Sequence, residues 1–221
     1  MSSYHREAVT DFGNSRSAPV TAAIDRICAA IADCGCAVEA DFLPQATVAA
    51  LAGEARARDA AGEFHAAGVG RGTARVQRSD VRGDRILWLD EGSAGPAQQP
   101  FWQALDALRA ALNENLRHGL FSFEAHDALY PPGAFYRRHR DQFRGHAPSA
   151  DDRVISCAIY LNEDWTPADG GALRIYDGEL VRDVLPVAGT MACFLSDRFE
   201  HEVLPATRER LALTGWFRRR A

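Results

Sequence analysis

Apolar residues recur at helical spacing in the first half of the chain and at strand spacing in the second. From Val20 to Ala32 the positions Ile24, Ile27, Cys28 and Ile31 share one helical face, and Gly35 marks the stop. Pro44 opens a second helix to about Ala60, with Val48, Leu51, Ala52 and Ala55 as its buried stripe. The strongest helical pattern runs from Pro100 to about Arg117, where Leu105, Leu108, Leu112 and Leu116 line one face. Strands are predicted at Ala37–Leu43 and Arg85–Leu89. After Gly119 strands dominate: Phe121–Tyr130, Ala134–His139, Val154–Leu161, Ala172–Tyr176, Thr190–Leu195 and Leu211–Phe217. Turn signals at Pro131-Pro132-Gly133, Gly170-Gly171, Asp177-Gly178 and Ala188-Gly189 separate several of them. Helices first and strands afterwards predict an α+β protein, a β-sandwich or jelly roll backed by helices.

Composition narrows the class without naming a chemistry. A chain of 221 residues suits a single domain with one well-buried core. Residues 1–18 are small and polar and read as a disordered N-terminus, which leaves 19–221 as the domain: helical support over 19–118, then a strand-rich core over about 119–218. The net charge of −5 argues against a nucleic-acid coat. All 25 basic residues are arginine, which reads as the coding bias of a GC-rich bacterial genome. The closing run Arg218-Arg219-Arg220 reads as a solvated terminus. No apolar run approaches the ~20 residues of a membrane span, and no signal-peptide core is visible. Five cysteines, an odd number, make no disulfide framework, and Cys34-Gly-Cys36 lacks the second pair a zinc site needs. A reduced, cytoplasmic location is the expectation.

Two features carry chemistry. The Gly- and Arg-rich stretch from Gly62 to Gly83 is too long for an ordinary connection and reads as a functional cover. Its Gly68, Gly70 and Gly72 lack the lysine and following helix of a phosphate loop. The second feature is His139-Arg140-Asp141, with His201 far downstream. On an extended strand, positions i and i+2 point the same way, so His139 and Asp141 can aim at one metal. Two imidazoles and a carboxylate hold divalent iron on one face and leave the other open. By itself the tripeptide reads more readily as an ordinary hydrogen-bonded pair on a strand.

The surrounding motifs supply a family. Tyr130 to Asp141 (YPPGAFYRRHRD), Ile159 to Trp165 (IYLNEDW) and Gly170 to Ile175 (GGALRI) occur in order with Ser196 to Ala206 (SDRFEHEVLPA) and Arg210 to Phe217 (RLALTGWF). Together they resemble the Fe(II)- and 2-oxoglutarate-dependent oxygenases, and among these the hypoxia-factor-type prolyl 4-hydroxylases and their bacterial relatives. Arg82 to Trp88 (RGDRILW) is similar to the segment after that branch's substrate loop, and the stretch before it occupies the loop's place. The resemblance spans roughly Arg82 to Phe217. It implies a double-stranded β-helix core and makes His139, Asp141 and His201 the iron ligands. Arg210, nine residues after His201, would grip the far carboxylate of 2-oxoglutarate through two parallel hydrogen bonds. Thr214 and Tyr160 would assist it, and Tyr130 and Tyr136 would line the cosubstrate side. Arg153, Trp216 and Asp84 would face substrate. The turn at Pro131-Pro132-Gly133 is one residue shorter than in the animal enzymes.

What the resemblance implies is hydroxylation of a prolyl residue in a partner protein, with Fe(II), 2-oxoglutarate and O2 as reactants and ascorbate as a stimulant. The bacterial relatives suggest elongation factor Tu as partner. Two other readings stay open: an oxygenase acting on a small molecule such as a free amino acid, and a non-catalytic iron or 2-oxoglutarate sensor. His5, His65, His118, His126 and His146 have no ligand spacing. Trp88 and Trp165 read as packing residues, and Cys157 and Cys193 as small core residues. No basic stripe with interleaved aromatics accompanies the site, so nucleic-acid demethylation ranks lower.

Overall fold

Antiparallel pairing gathers the strands into two sheets whose facing surfaces differ in chemistry. The computed structural model describes residues 18–69, 76–142 and 152–219. Its helices are α1 (Ala18–Cys34), α2 (Gln45–Ala60) and α3 (Gln99–Leu116). Its strands are β1 (Cys36–Glu39), β2 (His65–Ala66), β3 (Gly68–Val69), β4 (Val76–Gln77), β5 (Arg85–Leu89), β6 (Leu120–Tyr130) and β7 (Tyr136–His139), followed by β8 (Arg153–Tyr160), β9 (Leu173–Asp177), β10 (Leu180–Val184), β11 (Met191–Leu195), β12 (Glu200–Val203) and β13 (Arg210–Arg219). The larger sheet runs β1-β11-β8-β13-β6-β5-β2 and the smaller β10-β9-β12-β7, while β3 and β4 form a separate hairpin.

Strand periodicity divides each large-sheet strand between two cores. Along β13, Leu211, Leu213 and Phe217 join Ile24, Ile27, Phe101, Leu105, Leu108 and Leu112 in a core on the helical side. The alternate residues Arg210, Ala212, Thr214 and Trp216 point into the space between the sheets. Strands β6 and β8 obey the same rule, with Leu129 and Ile159 on the helical side and Ala128, Tyr130 and Tyr160 between the sheets. Burying a large side chain such as Leu105 or Phe217 contributes roughly 1.5–3 kcal/mol, so the helices chiefly hold the large sheet in shape.

Most predicted elements are present, with instructive exceptions. The strand expected over Ala37–Leu43 ends at Glu39, because Asp41 takes a left-handed conformation (φ 53°). Phe42 and Leu43 are nonetheless fully buried, and the Phe42 N–H donates to the Gly189 carbonyl. Strands β10 and β12 were not expected: each is short and rich in charge, giving little alternation to read. Arg218 and Arg219, expected to be solvated, close β13, and Arg218 approaches Glu124 at 3.4 Å. Of the expected disordered N-terminus, Ala18 opens α1 and residues 1–17 lie outside the described residues. Residues 70–75 of the predicted cover and His5 and His146 also lie outside them. Among the described residues no helix is long and apolar enough to cross a membrane.

Candidate metal centre

Pairing register builds the centre. His139, the last residue of β7, lies directly opposite His201 on β12. Asp141 follows just beyond the end of β7, and its carboxylate enters between the two rings. The His139 Nε2–Asp141 Oδ1 and His201 Nε2–Asp141 Oδ2 distances are both 3.6 Å. One ligand atom from each residue fits within a 4.8 Å span, and no other His, Cys, Asp or Glu cluster among the described residues does so. His65, His118 and His126 stand outside it.

The surroundings prepare these groups as donors. His139 Nδ1 sits 2.7 Å from the Arg137 carbonyl, which fixes the ring as the Nδ1–H tautomer and frees Nε2. Tyr136 stacks on the same ring with centroids 3.6 Å apart. Burial pushes His201 down to about 4, so this imidazole is neutral at neutral pH. Burial alone would raise Asp141, but the flanking imidazoles and the Ser156 hydroxyl outweigh it and hold the carboxyl well below its usual range. The Nε2 atoms of two imidazoles and one ionised carboxylate fit a ferrous ion with one face left open.

A cavity of about 450 Å³ adjoins the triad; along β13 its inner lobe is the part towards Arg210 and its outer lobe the part towards Trp216. Arg210 is 2 % exposed. Its Nε donates to the Gly171 carbonyl at 2.9 Å, and its guanidinium carbon lies 5.0 Å and 5.1 Å from the Tyr130 and Tyr160 rings. Among the described residues Arg210 forms no ion pair with a carboxylate. A buried cation without a counter-ion is costly unless a ligand supplies one, so this end fits a carboxylate-bearing cosubstrate. Gly171 (φ 69°) permits the approach: a Cβ there would lie 2.9 Å from Ala206 Cβ and 3.3 Å from Arg210 Cδ. Thr214 and Tyr130 also line the lobe. The Tyr160 hydroxyl is buried, and beyond the adjacent Arg210 it has no hydrogen-bond partner among the described residues.

The outer lobe is aromatic and charged. Arg153 stacks on Trp216 with its guanidinium carbon 3.4 Å from the ring centroid, while its Nε donates to Glu124 at 2.8 Å. Tyr136 lies on the wall with Arg82 stacked 4.2 Å over its ring. Asp84 does not reach the cavity. Its side chain is wholly buried and accepts both Arg82 donors, at 2.5 and 2.7 Å, so it anchors Arg82 and is not positioned to touch substrate. Sequence reasoning missed Trp88 and His126, which also line this lobe. Trp88 is 38 % exposed, 4.9 Å from the His126 ring, and directly paired with it across β5 and β6. The signal lay in strand alternation, which puts His126 on the same face as Ala128 and Tyr130. Trp165, by contrast, is a packing residue whose indole N–H donates to the Gly170 carbonyl.

The fold and centre define a metal-dependent oxygenase barrel, and comparison with known proteins agrees. The family model described as the 2OG-Fe(II) oxygenase superfamily matches residues 125–218. A prolyl-4-hydroxylase of Pseudomonas putida superposes with a TM-score of 0.78 at 47% identity, covering 90% of this chain and 99% of that one. A Trichoplax adhaerens prolyl hydroxylase, solved with a hypoxia-inducible-factor peptide fragment, gives a TM-score of 0.79 at 25% identity over 90% of both chains. Human Egl nine homolog 1 is 32% identical over 201 residues, covering 83% of this chain and 43% of its own length. The chain therefore belongs to the 2-oxoglutarate- and Fe(II)-dependent oxygenases, in their prolyl-hydroxylase branch. It spans about half the length of the animal Egl nine proteins it matches.

Proposed function

We propose that this protein is an Fe(II)- and 2-oxoglutarate-dependent dioxygenase that 4-hydroxylates a prolyl residue in a partner protein. The observation that carries the reading is the meeting, in one cavity, of the His139–Asp141–His201 triad and a buried Arg210 that has no carboxylate partner among the described residues. In this reading His139, Asp141 and His201 hold the iron. Arg210 takes the distal carboxylate of 2-oxoglutarate, helped by Thr214 and the Tyr160 hydroxyl. When bound, iron, 2-oxoglutarate and O2 supply the oxidising power, with release of succinate and CO2 as a C–H bond becomes C–OH.

The chain's own work is positioning and shielding. Tyr130 and Tyr136 line the cavity. Arg153, held flat by Trp216 and Glu124, presents a cation where a peptide carbonyl or carboxylate would enter. Similarity to the Trichoplax enzyme, solved with a peptide fragment, supports a peptide-borne proline over a free metabolite. Elongation factor Tu is the first partner to try, a cytoplasmic setting is the expected one, and ascorbate is expected to stimulate turnover. The test is incubation with Fe(II), 2-oxoglutarate and either elongation factor Tu or free proline. The expected result is one succinate formed per oxygen atom gained on a prolyl residue. Succinate formation driven only by the free amino acid would contradict it.

A further inference from the structure

Behind the Asp141 carboxylate stand two buried hydroxyls to which the proposed chemistry gives no task. Ser156, on the inner face of β8, places its Oγ 2.6 Å from Asp141 Oδ2 and 2.8 Å from Ser196 Oγ. Ser156 is 3 % exposed and Ser196 wholly buried. An ionised carboxylate can only accept, so the single Ser156 proton goes to Asp141. The Ser156 oxygen is then the acceptor for the Ser196 proton. The chain of bonds therefore runs one way, from Ser196 through Ser156 to Asp141.

Asp141 needs such support. Strand β7 ends at His139, so no ladder bond fixes the residue that supplies the third ligand. Ser196 sits where three segments meet: its N–H donates to Val154 at the start of β8, and its carbonyl accepts from the Gln142 N–H, next to Asp141. We propose that Ser196 and Ser156 form a directed hydroxyl relay that orients the Asp141 carboxylate as a metal ligand. The proposal rests on the triad reading of the centre. The hydrogen bond to Oδ2 is short and charge-assisted, so it holds the carboxylate in one orientation at the centre. Both serines are positioning residues, and neither touches the reacting atoms.

Manganese(II) titration of the metal-free protein tests this without turnover. Ser156→Ala is expected to weaken Mn(II) binding about tenfold, the usual scale for losing a group that orients a ligand. Ser196→Ala should weaken it less, and Ser156→Thr, which keeps the hydroxyl, should restore it. The thermal midpoint of the metal-free protein should be the same in Ser156→Ala and Ser156→Thr. Parental affinity in Ser156→Ala, or equal weakness in the threonine variant, would overturn the relay. A loss of affinity matched by a loss of metal-free stability in Ser156→Ala alone would also overturn it, by making the serine merely structural. His201→Ala separates the two levels: if it abolishes binding while Ser156→Ala does not weaken it, only the relay falls. If His201→Ala binds Mn(II) like the parent, the triad reading fails and the relay with it.

Discussion

His201 faces His139 across neighbouring antiparallel strands, with ring centroids 4.2 Å apart and the Asp141 carboxylate wedged against both rings. Register produces this meeting, since a one-residue slip of β12 would turn His201 away from the interior. Asp141→Asn keeps the shape and removes the charge that complements a divalent ion. Its affinity for Mn(II) should fall by more than the roughly 10–100-fold typical of losing an orienting neighbour. Parental affinity in that variant would remove Asp141 from the ligand set.

Arg210 is a second fixed point. Lysine in its place keeps a charge but loses the planar fork and the Nε bond to Gly171. Charge-assisted bonds of this kind contribute about 1.5–3 kcal/mol, so Arg210→Lys should weaken 2-oxoglutarate binding on the order of 10–100-fold. Isothermal titration of the Mn(II)-loaded protein measures it, and an unchanged dissociation constant would exclude Arg210 as the anchor.

The outer lobe should act separately from the inner one. Trp88 packs on His126 and lies 6.4 Å from Trp216, far from the Arg210 end in the strand register. Trp88→Ala should raise the KM for a proline-containing peptide on the order of 5–100-fold, about the 1–3 kcal/mol that truncating an aromatic side chain in a binding wall costs. The KM for 2-oxoglutarate should move much less. Equal changes in both would place Trp88 in the cosubstrate lobe instead.

Asp127, on the helical side of β6, makes a pH prediction. Burial pushes its carboxyl up to about 7, with Arg58 opposing the rise and Glu54 adding to it. Between about pH 4 and pH 7 the folded protein keeps a proton that the unfolded chain has released. Asp127 therefore favours folding at low pH, and that contribution is lost as pH rises towards 7. Asp127→Asn, always neutral, should gain stability over the parent between pH 5 and pH 8, on the order of a few kcal/mol. Urea unfolding at both pH values checks this; the same difference at each would contradict it.

Much of the centre was legible because it follows strand alternation. Arg210, Thr214 and Trp216 share a face along β13, as ordered motifs suggested, and Asp141 joins His139 at the centre from just past the end of β7. What alternation cannot give is the partner across a sheet or the atom a carboxylate meets. Asp84 reads as a substrate-facing residue in the sequence, yet both its oxygens are taken by Arg82. Trp88 reads as packing, yet β5–β6 pairing sets it beside His126 at the cavity. Ser156 and Ser196 carry no motif of their own, and they meet only because β8 and β11 lie side by side. Strand β12 escapes notice because Glu200, His201, Glu202 and Val203 show polarity in place of alternation.

Anomalous diffraction from crystals grown without oxygen in Mn(II) and 2-oxoglutarate tests the metal centre most directly. The expected result is one strong peak at bonding distance, about 2 Å, from His139 Nε2, His201 Nε2 and one Asp141 oxygen, with the cosubstrate's far carboxylate on Arg210. A peak elsewhere, or none at the triad under saturating metal, would contradict it.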